Sequence, residues 1–591
     1  MNPETGAAPG AIKSAGTPPR LPARAPSAWM AYAGLLVGAL ALHVFTAGIG
    51  DLFNETDGQY GGAAKAMVES GEWLVPENNG IPRLVKPPLL VWLMAAAMEA
   101  FGVNAFAARL PGALAVVGWV LVTARIGEIW GGRRRGILAG TILATLLGSF
   151  TLARIVMPEP VFSAAIAGAF WCLLEAHRAV PAPSRRAWIA GAWILAGLAA
   201  FVKGPHGPLY VVLAAAAACL MSRGTTPLRL RDLISPWGII AALCINIPWY
   251  LAVEDRFPGF LHNLIWVEMF GHVSGSGAPA TDYTAVPRWQ FAALHLAWFF
   301  PWSVAAITGL ILQGRHTLKW RAAHFPSRLI LTWGLLVAAS VLLAGQRQDY
   351  YAMAAWPVFA LISARILEGL NPAVPSRVVG GFLFCSLPGV WFAARSASGH
   401  TESLADRSTA AGTLAGFGSG VWTDLLGIAV ATLLPAAIAA VIARRSYFPL
   451  ACAGAILGIG AICATARIAP YFSIAPIADA VKSAAGDSGV VYFDGNIDTG
   501  SSLLFYTDLR VILIDIDPHA DFAVRTQGIG LSHFTTTDGV VNAWNSGGPV
   551  ALLTESSRLD EWRSLLRPGP RVQARCGTLV LLTAENSPTT P

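Results

Sequence analysis

Residues 106–135 read FAARLPGALAVVGWVLVTARIGEIWGGRRR, and the threading of this stretch decides the rest of the chain. The run 106–122 is apolar on nearly the scale of a bilayer crossing, which takes about 20 residues. Arg125 and the triplet Arg133-Arg134-Arg135 follow it. Loops rich in Lys and Arg stay on the cytoplasmic side, so the triplet marks an inner end and the span runs inward. Everything in 51–105 is then outside. The first apolar run, 28–50, has to travel outward from a disordered cytoplasmic tail, residues 1–27, rich in Pro, Ala and Gly and carrying Lys13, Arg20 and Arg24. That tail lacks the layout of a cleavable signal, because the apolar run behind it is long and leads into further spans.

Composition agrees with a membrane protein. The 591 residues are 54% hydrophobic and 13% charged, with a mean hydropathy of +0.54. A soluble chain cannot bury so much apolar surface, whereas a lipid bilayer solvates it. The net charge of +7 is carried by short basic clusters between apolar runs, which is the positive-inside pattern and argues against nucleic acid as a partner. Cys172, Cys219, Cys244, Cys385, Cys452 and Cys463 lie in apolar stretches, and Cys576 lies in the polar C-terminal part. No CxxC or Cys/His spacing appears, so neither a disulfide framework nor a thiolate metal site is indicated.

Continuing the alternation gives about 13 crossings. After 28–50 and 106–122 they fall near 136–153, 160–177, 187–202, 207–221, 235–253, 290–312, 329–345, 352–367, 378–394, 421–443 and 447–466. The piece 89–101 is short, carries Glu99 and is flanked by Lys86-Pro87-Pro88, so it reads as an interfacial helix on the outer leaflet. Arg178, Arg185, Arg186, Arg223, Arg229, Arg231, Arg315, Lys319, Arg321, Arg328, Arg377, Arg444 and Arg445 then fall inside. Glu55, Asp57, Lys86, Arg154, Glu159, Lys203, Arg347 and Tyr351 fall outside. The fold class expected is a polytopic α-helical membrane domain, 28–467, followed by a small extracytoplasmic α/β domain, 468–591. The latter shows β-like runs at 490–493, 503–506, 511–516, 550–553 and 579–582, separated by turn residues. Asp494, Asp515 and Asp517 sit at run ends, where turn and edge aspartates are common.

The first outer loop opens on Glu55-Thr56-Asp57-Gly58-Gln59-Tyr60. Carboxylates just outside a membrane are cheaply solvated, and a pair ahead of a helix start can serve only as an N-cap. The loop goes on through Met67 and Gly71-Glu72-Trp73-Leu74-Val75-Pro76 to Lys86-Pro87-Pro88-Leu89-Leu90-Val91-Trp92. In this order the motifs resemble the dolichyl-phosphate-mannose protein mannosyltransferase-like group, which includes the bacterial lipid A aminoarabinose transferases, within the GT-C glycosyltransferases. The likeness continues at Ala153-Arg154, Glu159-Pro160, Lys203-Gly204-Pro205, Phe260-Leu261-His262, Pro301-Trp302 and Tyr351 with Pro357.

The resemblance implies a bacterial inner-membrane enzyme that moves a sugar from a polyprenyl-phosphate carrier to a hydroxyl of an envelope acceptor (lipid A, protein or glycan). Transfer takes place on the periplasmic side, with inversion. An alcohol is a poor nucleophile near neutral pH, and a placed carboxylate that takes its proton is worth about 10²–10⁴-fold. The departing phosphate gains charge, which cations and hydroxyl donors stabilise. Matched by residue, Thr56 takes the position of the family's aspartate and Asp57 that of its glutamate. Asp57 is therefore the preferred base and Glu55 the alternative, with Glu159 as the second acidic position. Lys86 matches a lysine near the carrier phosphate, Lys203 and Arg347 join it as cations, and Tyr351 matches a tyrosine proposed to bond that phosphate. Arg154, His262, Glu268 and His272 complete the candidates. The aminoarabinose transferases can hold zinc at two places that here are Val85 and Met269, so that zinc site is not expected, and a divalent metal held elsewhere stays open. A flippase or other transporter of a lipid-linked sugar, and a non-catalytic subunit of a glycosylation machinery, are the alternatives. Transport predicts ionisable residues near the midplane, and here the charges cluster in outer loops.

Overall fold

The computed structural model describes residues 28–180, 182–222, 226, 228–271, 286–313, 324–345, 347–397, 419–547 and 550–584. The tail 1–27, Arg223, His272, Arg315, Lys319 and Arg321, all invoked above, lie outside them. Among the described residues nine helices are long and apolar enough to cross a membrane, or eleven if each of two bent pairs counts as one span. A total of thirteen takes in the shorter apolar helices Trp29–Val44 and His206–Met221 as well.

Two expected spans are broken. The first becomes Arg133–Ala144 and Leu147–Arg154, bent by 53°, and the second becomes Arg288–Trp298 and Trp302–Gln313, turned by 97°. Pro301 breaks the second, since it lacks an N–H and crowds the preceding turn. The breaks pack on each other. The Leu147 N–H donates to the Phe300 carbonyl at 2.9 Å, and the Trp302 indole N–H donates to Thr145 Oγ1 at 2.9 Å. Backbone groups freed by each bend are thus satisfied inside protein, as an apolar surrounding demands.

Helices Ala105–Gly131 and Arg133–Ala144 form a tight hairpin that turns at Gly132, where φ is 93°. A Cβ on Gly127 would come within 2.8 Å of the Gly136 Cα, so small residues let the two backbones touch. The basic clusters read as cytoplasmic in the sequence also tie helix ends together. Arg125 pairs with Glu128 at 2.8 Å and Glu175 at 2.7 Å, and Arg135 pairs with Glu368 at 2.7 Å.

In the first outer loop, β1 (Glu77–Asn78) and β2 (Ile81–Pro82) form a short antiparallel hairpin. Beyond helix Phe448–Ile468 lies the C-terminal sheet, built from β3 (Val490–Asp494), β4 (Arg510–Ile514), β5 (Phe534–Thr535), β6 (Ala551–Glu555), β7 (Pro570–Cys576) and β8 (Leu579–Ala584). Its order among the described residues is β5-β4-β3-β6-β8-β7, parallel from β5 to β6 and antiparallel at β8 and β7. Apolar clusters cover both faces, one around Phe493 and Leu581 and the other around Trp544 and Trp562. The β7 edge exposes Arg571, Gln573 and Arg575, charged and polar residues that discourage further strand pairing.

One β-like run is not a strand. Leu503–Tyr506 is a single helical turn laid on helix Thr56–Ser70. Gly61 and Gly62 make room for Phe505 and Leu504, whose side chains a Cβ would meet at 3.1 and 2.8 Å. Around this contact Lys65 donates to the Thr507 carbonyl at 2.7 Å and pairs with Asp508. Asn79 exchanges two hydrogen bonds with the Val511 backbone, at 2.8 and 3.0 Å. The Leu52 N–H donates to the Tyr506 hydroxyl at 2.8 Å. The C-terminal domain is therefore built onto the first outer loop.

Candidate active site

Helix Thr56–Ser70 begins directly after Glu55, and its first turn separates two carboxylates that the sequence sets side by side. Asp57 points inward and is 5% exposed. Its Oδ1 accepts from the Val156 N–H at 2.8 Å, its Oδ2 accepts from the Phe53 N–H at 3.3 Å, and Arg109 lies 3.6 Å away. Burial pushes the Asp57 carboxyl up, against the pull of Arg109 and the two N–H donors. Arg109 donates in addition to the carbonyls of Ala47, Ile49, Gly50 and Asp51, and Arg154 donates to Thr46, Ala47 and Ile49. Two arginines thus cover the carbonyl end of the first apolar segment, where positive charge is favoured. Asp57 and Arg154 belong to that packing unit.

Glu55 is exposed. Its backbone lies in the left-handed region, with φ 64° and ψ −118°. Its N–H donates to the Asp498 carbonyl at 2.7 Å, and its own carbonyl accepts from the Ser501 hydroxyl at 2.9 Å. Protein packed around the carboxyl raises its pKa by desolvation, and the negative Asp498 raises it further. Gln59, one turn on, donates to Asp498 and accepts from Arg83 at 3.0 Å. Arg83 itself stacks over Tyr60, 4.4 Å from the ring centre.

From Arg83 the site passes to the cations. Lys86 lies in a bend ahead of Pro87-Pro88, and Pro88, with φ −86° and ψ −7°, already turns the chain into helix Leu89–Phe101. Burial lowers the Lys86 pKa; Glu268 and Glu159 pull it up, and Lys203 and Arg83 push it down. No hydrogen bond holds its ammonium group among the described residues. Glu159 opens helix Glu159–Arg178 and Lys203 closes helix Ala182–Lys203, so each charge sits at the helix end that favours it. They meet at 2.6 Å. The Lys203 ammonium also lies 4.6 Å from the Tyr351 ring centre. Glu159 is 4% exposed, and its second oxygen is buried without a partner among the described residues.

Four other candidates stand apart. Arg347 is 4% exposed, and its guanidinium is spent on the carbonyls of Val286, Val341, Leu342 and Ala344. It stitches its own loop and carries no hydrogen bond to the lysine cluster. Arg154 is committed as above. His262 is exposed on the turn Phe260–His262, and His272 is outside the described residues. The structure adds Arg83, Gln59, Asp498, Arg109 and His206, the last stacked on Phe162 with ring centres 4.7 Å apart.

Residues 36–264 match the family model for dolichyl-phosphate-mannose-protein mannosyltransferase. Over 335 residues the chain is 25% identical to an undecaprenyl phosphate-alpha-4-amino-4-deoxy-L-arabinose arabinosyl transferase of Serratia proteamaculans, covering 55% of this chain and 57% of that protein. It therefore spans little more than half the length of that curated relative. Its fold superposes on ArnT from Cupriavidus metallidurans bound to undecaprenyl phosphate with a TM-score of 0.76 and 19% identity, over 96% of this chain and 100% of that one. The apo form of that ArnT gives 0.76 and 20%, over 94% and 98%. The chain therefore has the fold of the Cupriavidus metallidurans ArnT structures.

The region matched by the family model holds Glu55, Asp57, Lys86, Glu159 and Lys203, whereas Asp498 lies far outside it. Among the described residues no three His, Cys, Asp or Glu side chains gather as a metal site. Val85 has no donor atom and Met269 offers only a thioether, a poor ligand for zinc, so these two positions do not fit the metal.

Proposed function

We propose that this protein transfers a sugar from a polyprenyl-phosphate carrier to a hydroxyl of an envelope acceptor, with Glu55 as the general base. One chain of contacts supports the reading: Asp498, which faces the exposed Glu55 carboxylate, is linked through Gln59 to Arg83, and Arg83 and Lys203 are the cations that act on Lys86. In the reaction the Glu55 carboxylate takes the acceptor proton as the acceptor oxygen bonds to the anomeric carbon. The bond from that carbon to the phosphate oxygen breaks on the opposite face, which inverts the centre. Its electron pair leaves with the polyprenyl phosphate, which gains one negative charge. Lys86 and Lys203 meet that charge, and the Tyr351 hydroxyl supplies a neutral donor. Val85 and Met269 support a reaction in which these groups handle the charge without zinc.

Purified protein is expected to bind polyprenyl phosphate. Lys86→Ala should weaken that binding by about 10- to 150-fold, the worth of one hydrogen bond to a charged group, and Tyr351→Phe should weaken it less. Failure of the wild-type protein to bind the carrier would end the reading. Unchanged affinity in both variants would make these residues anchors to the bilayer surface instead.

The first outer loop and the C-terminal domain are placed on the periplasmic side, with the N-terminus cytoplasmic. The segregation of basic clusters supports this, as do the many hydrogen bonds that join loop and domain. Single cysteines at the exposed positions Ser70 and Ser488, in a cysteine-free chain, should react with an impermeant reagent in intact cells. Labelling of either site only after permeabilisation would reverse the orientation.

A further inference from the structure

We infer that the C-terminal domain completes the active site, with Asp498 and Ser501 as positioning residues that hold Glu55. The inference rests on Glu55 being the base. A residue with a Cβ occupies the left-handed region at a cost, and persists there only where the surroundings over-determine it. At Glu55 those surroundings come from as far as 446 residues away in the chain. The Asp498 carbonyl takes its N–H at 2.7 Å and the Ser501 hydroxyl binds its carbonyl at 2.9 Å. The preceding residue is fixed in the same way. The Asn54 N–H donates to the Phe472 carbonyl at 2.7 Å, and its side-chain oxygen accepts from the Ser502 hydroxyl at 2.6 Å. On the other side Gly58 lets the 501–502 backbone sit flush, since a Cβ there would lie 2.3 Å from the Ser502 nitrogen. Both peptide groups of Glu55 are thereby aimed by the domain, and its side chain is left for the substrate.

Asp498 contributes charge as well as a carbonyl. Its carboxylate accepts from Gln59 and faces Arg83. The charged groups around Glu55 are Asp498 from the C-terminal domain, Arg83 from the first outer loop, and Asp57 on its own helix, which is turned inward onto Arg109. A negative neighbour disfavours ionisation of Glu55 and makes it the more basic once ionised.

The test uses the full chain in detergent with a polyprenyl-phosphate-linked sugar. Asp498→Asn keeps the backbone carbonyl and an acceptor for Gln59 but deletes the charge. The acid limb of its kcat/KM profile should move to lower pH, because Glu55 then loses its proton more easily, while affinity for polyprenyl phosphate stays at the wild-type value. Ser501→Ala should lower kcat roughly three- to tenfold, the scale of one neutral hydrogen bond, with the donor KM unchanged. An acid limb that stays in place in Asp498→Asn, together with wild-type kcat in Ser501→Ala, overturns the positioning role. Glu55→Gln separates the two levels. If it keeps turnover, the base assignment falls; if it collapses while Asp498→Asn leaves the limb unmoved and Ser501→Ala keeps wild-type kcat, only the positioning role falls.

Discussion

Glu55→Gln should lower turnover by about 10²–10⁴-fold while leaving carrier binding and the melting temperature of the protein close to wild type. Glutamine keeps the length and polarity of the side chain but cannot take the acceptor proton. Because Glu55 makes its structural contacts through its backbone, the substitution leaves the bonds to Asp498 and Ser501 in place. The pH profile gives a second readout. The base acts when ionised, so wild-type activity should rise with pH through the raised Glu55 pKa, and that limb should vanish in the residual activity of the variant. Turnover within a few-fold of wild type would remove Glu55 from the chemistry.

The second large effect is on stability. Arg109→Met should cost about 3–5 kcal/mol, because Asp57 stays buried with its charge uncompensated. The carbonyls of Ala47, Ile49, Gly50 and Asp51 lose their donor in the same step. Asp57→Asn should cost less, since the amide keeps the shape and Arg109 keeps its carbonyls, and any loss of activity should track the loss of folded protein. Survival of monodisperse protein after heating, measured beside turnover per folded molecule, checks both. Arg109→Met melting like wild type would dismiss the buried pair. An Asp57→Asn protein that melts normally yet turns over a hundredfold more slowly would return the base to Asp57.

The preference for Asp57 over Glu55 in the sequence came from counting positions, and a helix start does not respect counting. Thr56 begins the helix between them, so two positions along the chain are the difference between facing solvent and facing Arg109. Lys86, Glu159 and Lys203 stood out in the sequence because each lies beside Pro or Gly at a predicted outer boundary, and Tyr351 stood out through the family resemblance. Arg154 and Arg347 lie in similar places and turned out to serve backbone carbonyls. At a membrane boundary an arginine that binds phosphate and one that caps a helix look alike in sequence, since either task asks for the same planar fork. Arg109 was hidden inside an apolar span, and Asp498 lies in a loop with no local signature. Leu503–Tyr506 was read as a strand because four apolar residues carry no usable period. What makes it a helical turn is the glycine face of Thr56–Ser70 beneath it.

The seam between that glycine face and the C-terminal domain also has a place in time. Leu52, Lys65 and Asn79 leave the ribosome 432 to 454 residues ahead of Tyr506, Thr507 and Val511, the residues they bond. At about 5–20 residues per second that gap lasts roughly 20–90 s. Throughout it the first outer loop lacks the groups that bend Glu55 into place. On the proposed reading, a nascent chain stays inert until the segment around Asp498 and Ser501 has been made and packed against Glu55.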